Sequence, residues 1–280
     1  MRIATWNLNG LRAAWRKGLA DEMQRLDVDV WLFQEIRCTP DQGPPPMEIA
    51  GLGFEHVAWR PAVKPGYAGT AVWSKRPISN VRTGLGERDA DDEGRVLRVT
   101  IEPARAKTSR GGSSGGGGGV DVVSVYLPSG SSGDHRQAQK EAWMRRFRPW
   151  ATKQLRGGPV VLAGDFNLAM TPRDLYYAKS NQKQSGYLPH ERAWMTRLVE
   201  SGWRDLVRES AGEVDGPYTW WSNRGQARAL DRGWRIDYAL ANPGAAALVQ
   251  GVTVERDASL GRDGGPAVSD HAPVVVELDF

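Results

Sequence analysis

Cysteine is almost absent: Cys38 stands alone among 280 residues. A disulfide framework is therefore excluded, and a reducing, cytoplasmic setting is expected. Cys38 itself is given no role. Long apolar runs are missing too. No stretch approaches the roughly 20 residues of a membrane span, so no membrane partner is expected. The opening residues, MRIATWNLNG, lack the apolar core of a signal peptide and read as a strand from the outset. Histidine is scarce. The four residues at 56, 135, 190 and 271 are scattered with no H-x-x-x-H spacing, which argues against zinc. No internal repeat of 20–50 residues is visible.

What remains is an ordinary globular composition, 40% hydrophobic and 25% charged. Lysine and arginine exceed acids by 37 to 33, giving +4 and a pI near 9.3, a mild lean towards a polyanionic partner. Twelve tryptophans are many for this length, and core packing is the ordinary account of any one of them.

Strand and helix patterns alternate along the chain. Strands are expected at RIATWN (2–7), VDVWLFQE (28–35), GTAVWSK (69–75), RVLRVTIE (95–102), VDVVSVY (120–126), PVVLAGD (159–165), RIDYALAN (235–242) and APVVVELDF (272–280). Leu11, Trp15, Leu19, Met23 and Leu26 are spaced for one helix. Residues 134–155 predict a basic-faced helix with a break before Pro149, and 188–200 a further helix. The PPP run at 44–46 is expected to forbid regular structure nearby. Between two strands sits ARAKTSRGGSSGGGGG. It reads as a flexible insertion at about 105–119, lengthening a hairpin loop within one domain spanning 1–280. The expected class is one α/β domain: two sheets packed face to face, with helices on the outer faces.

Polar residues recur where these strands end. Asn7 and Asn9 follow the first, Glu35 the second and Tyr126 the fifth. Asp165 and Asn167 follow VVLAG, Asp237 lies in WRIDY, and Asp270 and His271 precede the last strand. Each has an ordinary reading as a turn former or cap. Their recurrence points instead to one sheet edge carrying a site on rigid elements. Carboxylates with an amide and no thiolate pair suit a hard cation such as Mg²⁺, with Mn²⁺ as substitute.

The segments WNLNGLRA, FQEIRC, GYAGTAVWSK, YLPSG, GDFNLA, WRIDY and SDHAP occur in that order. Together they resemble the exonuclease III/AP endonuclease branch of the endonuclease–exonuclease–phosphatase family. The match spans the chain except the Gly/Ser insertion. The resemblance implies a two-sheet, four-layer α/β sandwich and Mg²⁺-dependent hydrolysis of DNA phosphodiesters. It makes Glu35 the principal metal ligand, with Asn7 and Asp270 in the same pocket. It makes Asp165 the carboxylate that moves a proton, Asn167 and Tyr126 phosphate contacts, and Asp237–His271 the Asp–His pair. Whether Asp165 or His271 activates water stays open.

The partner so implied is double-stranded DNA with an abasic site or a 3′ end, engaged by a monomer. In YTWWSNRGQARALDRGWRIDY, tryptophans interleave with Arg224, Arg228 and Arg232, a pattern suited to sugars, bases and phosphates. Trp220 and Trp234 match family positions beside the pocket, while Trp221 reads as core. Arg12 is a candidate phosphate contact. Gln184 lies in the segment resembling the family's DNA-contacting loop, where AP endonucleases usually carry Asn. AP endonuclease, 3′-phosphatase and 3′→5′ exonuclease activities are not ranked by these residues. Two alternatives stand beside them: a phosphoinositide or sphingomyelin phosphodiesterase, and a catalytically inert DNA-binding relative.

Overall fold

Alternating side chains build the layers. In β1 (Arg2–Asn7), Ile3 faces one core while Ala4 and Trp6 face another. This computed structural model describes residues 1–86, 92–103, 118–259 and 266–280. With β1, the strands β2 (Val30–Gln34), β3 (His56–Arg60), β4 (Thr70–Ser74), β11 (Val249–Val254) and β12 (Val274–Leu278) form one six-stranded sheet, ordered β11-β12-β1-β2-β4-β3. The other contains β5 (Ile78–Thr83), β6 (Val96–Ile101), β7 (Val120–Tyr126), β8 (Val160–Asp165), β9 (Arg204–Asp205) and β10 (Asp237–Ala241), ordered β5-β6-β7-β8-β10-β9. This is the two-sheet sandwich expected from the sequence.

The sheets meet through Ile3, Val30, Leu32 and Val72 on one side and Leu97, Val99, Val122 and Val161 on the other. Each such side chain stabilises by roughly 1.5–3 kcal/mol when fully buried. Helices α1 (Leu11–Arg16) and α2 (Leu19–Leu26) cover the outer face of the first sheet, over Trp6, Trp31 and Trp73. Helices α4 (Asp134–Gln154) and α5 (Pro189–Glu200) cover the second, packing Trp143, Phe147 and Trp194 against it. Shorter helices are α3 (Pro46–Gly51), α6 (Leu206–Ala211) and α7 (Pro243–Ala246).

Strand polarity gathers the polar residues. β1 runs parallel to β2, and β7 parallel to β8. β12 is antiparallel to β1, and β10 to β8. The C-terminal ends of β1, β2, β7 and β8 therefore share an edge with the N-terminal ends of β10 and β12. Just beneath that edge a buried polar pin crosses between sheets. Gln34 Nε2 donates to Ser124 Oγ at 2.9 Å, and Ser124 Oγ donates to the Phe33 carbonyl at 3.1 Å. Such bonds fix the lateral register that apolar packing leaves free.

Several expectations need correction. The single helix expected over Leu11–Leu26 is two, because Gly18 adopts φ 96° and turns the chain between them. The proline run does not forbid structure: Pro46 begins α3, where a missing N–H goes unmissed. Pro149 does not break α4. Stacking of Trp143 on Phe147 and of Phe147 near Trp150 holds both sides of it to the sheet. Strands β3, β5, β9 and β11 had no strong signal. The hairpin pairing of β6 with β7 is present, but most of the Gly/Ser insertion lies outside the described residues.

Candidate active site

The stretch VVLAGDFN delivers its polar residues through a forced approach. A Cβ on Gly164 would lie 1.9 Å from the Val125 carbonyl oxygen, so only glycine lets β8 sit this close to β7. Tyr126, Asp165 and Asp237 then fall in one register row across three strands. Asp165 is buried. Its Oδ1 accepts from the Asn167 backbone N–H at 2.7 Å, and its Oδ2 accepts from Asn7 Nδ2 at 2.8 Å and Asn167 Nδ2 at 3.1 Å.

His271 faces Asp165 across the gap between sheets. Its Nδ1 lies 2.9 Å from Asp237 Oδ2, and its Nε2 4.0 Å from Asp165 Oδ2, too far for a hydrogen bond. Trp6 Nε1 donates to the His271 carbonyl at 2.9 Å, and Ser269 Oγ to the Asn7 carbonyl at 2.6 Å. These bonds anchor the segment before β12. Burial works against the charged imidazole, but Asp237 outweighs it and raises the ring to about 10. Burial pushes the Asp165 carboxyl up to about 7, with His271 opposing and Asp237 and Glu35 adding to the rise.

A cavity of about 350 Å³ opens over this pair. Asn7, Glu35, Asp165, Asn167, Gln184, Trp220, Trp234, Asp270 and His271 line it. Asp237 is buried behind His271. Glu35 binds the Tyr126 hydroxyl through Oε1 and Arg37 through Oε2. Asp270 accepts from Trp220 Nε1 at 3.0 Å and from Asn9 Nδ2 at 3.0 Å. Burial opposes ionisation of Asp270, yet His271 and these two donors outweigh it and hold the carboxyl below its ordinary value. Tyr126 is raised well above 10 by burial and by Glu35, so the phenol keeps its proton. Strain gathers here as well. Asn9, Glu35, Arg37 and Asn167, all lining the cavity, adopt positive φ near 50° although none is glycine.

Oxygen donors from Glu35, Asp270 and Asn7, with no sulfur nearby, fit a hard divalent cation. Asp165, Asp237 and His271, all buried, each bring one ligand atom within 4.8 Å of the others.

The remaining sequence-predicted residues divide. Trp220 and Trp234 meet edge to face, centroids 6.4 Å apart, as one wall. Gln184 lines the cavity from an exposed position on the loop whose Tyr187 packs edge to face on Trp234. Arg12 does not reach the cavity; with Arg16 and Arg37 it lines an adjoining one of about 420 Å³. Arg224 is exposed and lines neither. Trp221 is buried, as expected for core. Arg228 holds the site rather than facing outward: it lies over Trp221 and donates to the Ser269 carbonyl at 2.9 Å. Sequence reasoning missed Arg37 and Arg95. Arg95 is 2% exposed, lies 4.6 Å above the Tyr126 ring, and donates to the Tyr126 carbonyl at 3.1 Å. Its place in an alternating strand pattern reads as an ordinary outward charge.

A sequence model of the endonuclease/exonuclease/phosphatase family matches residues 4–271. The chain belongs to that family. It is 32% identical to an exodeoxyribonuclease of Bacillus subtilis (strain 168), covering all of both chains. It is 31% identical to the DNA repair nuclease APEX1 of Danio rerio, over 99% of this chain and 82% of that one. Among solved structures, the 3′ phosphatase NExo from Neisseria, bound to a product DNA hairpin, superposes over the full length of both with TM-score 0.85 and 27% identity.

Proposed function

We propose that this protein is a Mg²⁺-dependent DNA repair nuclease that hydrolyses phosphodiesters at abasic sites and at blocked or recessed 3′ ends. The observation that carries the reading is the convergence of Asp165 and the Asp237–His271 pair on one cavity walled by Trp220 and Trp234. The relatives' activities on DNA support the same substrate class.

A phosphodiester resists hydrolysis because it is anionic and its leaving alkoxide is poor. Asp165 Oδ2 and His271 Nε2 face each other 4.0 Å apart, close enough for one oxygen on the cavity side to bond both. Asp165 is suited to take or return a proton near neutral pH. Asp237 fixes the ring through Nδ1, leaving Nε2 on the Asp165 side, at the cavity where a phosphate would sit. The Tyr126 phenol donates to Glu35, and Asn167 Nδ2 to the Leu127 carbonyl and to Asp165, so either would have to exchange that partner to donate to a non-bridging oxygen. Glu35, Asp270 and Asn7 would hold Mg²⁺, which supplies positive charge against the oxygens that gain charge in the transition state. The Trp220–Trp234 wall gives an extrahelical sugar or frayed terminal nucleotide an apolar surface and excludes water.

The test is a side-by-side rate measurement on an abasic duplex, a 3′-phosphate nick and a recessed 3′ end, with and without EDTA. Turnover on at least one, lost in EDTA, is expected. Asp165→Asn should lower that rate by at least about 10²–10⁴-fold while DNA affinity stays near wild type. Hydrolysis of lipid headgroups with all three DNAs left intact would refute the reading.

A further inference from the structure

Outside the cavity, an aromatic pair stands in solvent without a task in the chemistry above. Tyr176 and Tyr177 are 50% and 48% exposed. Their rings meet edge to face, centroids 4.7 Å apart and planes at 85°. The Arg232 guanidinium lies 5.7 Å from one centroid and 5.8 Å from the other. Asp231, its neighbour in sequence, is engaged elsewhere: it accepts from Trp221 Nε1 at 3.0 Å and lies 3.6 Å from Arg256. Lys179 and Lys183, both exposed, add positive charge on the same loop.

The cluster is continuous with the cavity wall. Leu175 bridges to Trp234, and the Tyr176 N–H donates to the Gly233 carbonyl at 3.0 Å. The Tyr177 carbonyl accepts from Asn181 Nδ2 at 2.8 Å, and Asn181 lines the cavity. Exposed rings beside a guanidinium and ammonium groups match one kind of ligand chemistry. A nucleobase offers a π-face to the ring, and its phosphate an anion to the cations. A base paired within a duplex is already stacked on both faces, so beyond the terminal pair it is an unpaired base that has a face to give.

We propose that Tyr176, Tyr177 and Arg232 form a stacking platform for an unpaired nucleotide flanking the reacting position. The platform rests on the DNA reading above and adds to it a preference for substrates with single-stranded character next to the site.

The test measures affinity by fluorescence anisotropy, with the full-length protein in EDTA so that nothing is cleaved. Three labelled DNAs are compared: a blunt duplex, one with a short 5′ overhang and one with a short 3′ overhang. The Tyr176→Ala/Tyr177→Ala variant should lose about tenfold affinity for at least one overhang relative to its change on the blunt duplex. Tyr176→Phe/Tyr177→Phe, which keeps the rings, should bind as wild type. Arg232→Gln, which leaves the ring pair in place, should also lose overhang affinity selectively, and it serves if the alanine variant fails to fold. A loss equal on all three DNAs, no loss at all, or a phenylalanine variant as weak as the alanine one overturns the platform. Failure of the wild-type protein to bind any DNA, joined to its failure to cleave any, overturns the DNA reading itself. That result is distinguishable because a failed platform leaves wild-type binding and cleavage intact.

Discussion

At the scale of single residues, the site depends on a few buried charges, each held by one or two partners. The Asp237–His271 contact is a clear case. Removing the charge of Asp237 leaves a ring with no reason to keep its Nδ1–H turned inward, and no counter-charge behind it. Asp237→Asn should therefore lower kcat by on the order of 10³–10⁴-fold with little change in KM, read from steady-state cleavage at saturating DNA. An effect confined to KM would mean that Asp237 shapes binding and not the reaction. Asp174 plays a structural counterpart below the wall. It bonds Arg235 at 2.8 Å and Arg208 at 2.6 Å. Burial favours its neutral form, but the two guanidiniums outweigh that and hold its carboxyl below the ordinary value. A carboxyl lowered in the folded state contributes stability above its unfolded value. That stability is lost as pH falls through the folded value. Asp174→Asn should thus be about 3 kcal/mol less stable at pH 7, and its gap to wild type in urea melts should narrow below about pH 4. A gap constant from pH 7 to 3 would remove Asp174 from the ion-pair network.

At the scale of elements, legibility followed the physics of each one. Strands with clean alternation, such as β6, were readable, and so were the acids at their ends, because a carboxylate after an apolar run stands out. The break at Gly18 was not readable, since Leu11, Trp15, Leu19 and Met23 keep helical spacing across it and only the backbone turns. Arg228 looked like a phosphate contact until its hydrogen bond to Ser269 placed it in the scaffold. Buried ion pairs escaped for a related reason: their partners are far apart in sequence. Lys140 of α4 and Glu191 of α5, both fully buried, pair at 2.6 Å. Lys140 also donates to the Asn167 carbonyl at 2.9 Å, while Glu191 accepts from the Gly186 and Leu188 N–H groups at 2.7 and 3.0 Å. Two helices, the turn carrying Asp165 and Asn167, and the loop bearing Gln184 thus meet at one ion pair. Lys140→Met leaves the Glu191 charge without its counter-ion and should destabilise by about 3–5 kcal/mol. Adding Glu191→Gln keeps an acceptor for the loop N–H groups and removes the stranded charge, so the double variant should recover part of the loss. A double variant as unstable as the sum of the singles would mean the two residues act independently.

At the scale of the whole molecule, the site is a property of the sandwich and belongs to neither sheet. Asn7, Glu35 and His271 come from one sheet and its connections, Tyr126, Asp165 and Asp237 from the other. What must be preserved is the relative placement of the sheets, set by the apolar interlayer and by the Gln34–Ser124 pin. The Gly/Ser insertion joins β6 to β7 within one sheet, away from that requirement. Ile101 and Val120 are direct partners across the antiparallel ladder, so a tight turn can close the distance between them. Gly119 must stay: a Cβ there would sit 2.4 Å from Thr100 Cγ2 and 2.7 Å from the Ile101 carbonyl oxygen. Replacing residues 104–117 by a short turn while keeping Gly118 and Gly119 should change unfolding free energy by less than about 1 kcal/mol, because loop closure depends only logarithmically on length. Cleavage rates on the best of the three DNAs should stay within about twofold, since Ile101 and Val120, which the segment joins, lie at the far end of the β6–β7 ladder from Tyr126. A large loss of stability would assign the insertion a packing role. An unchanged melting temperature with a large loss of cleavage would place it on the DNA, and the account of a site built wholly from the strand edge would need that segment added.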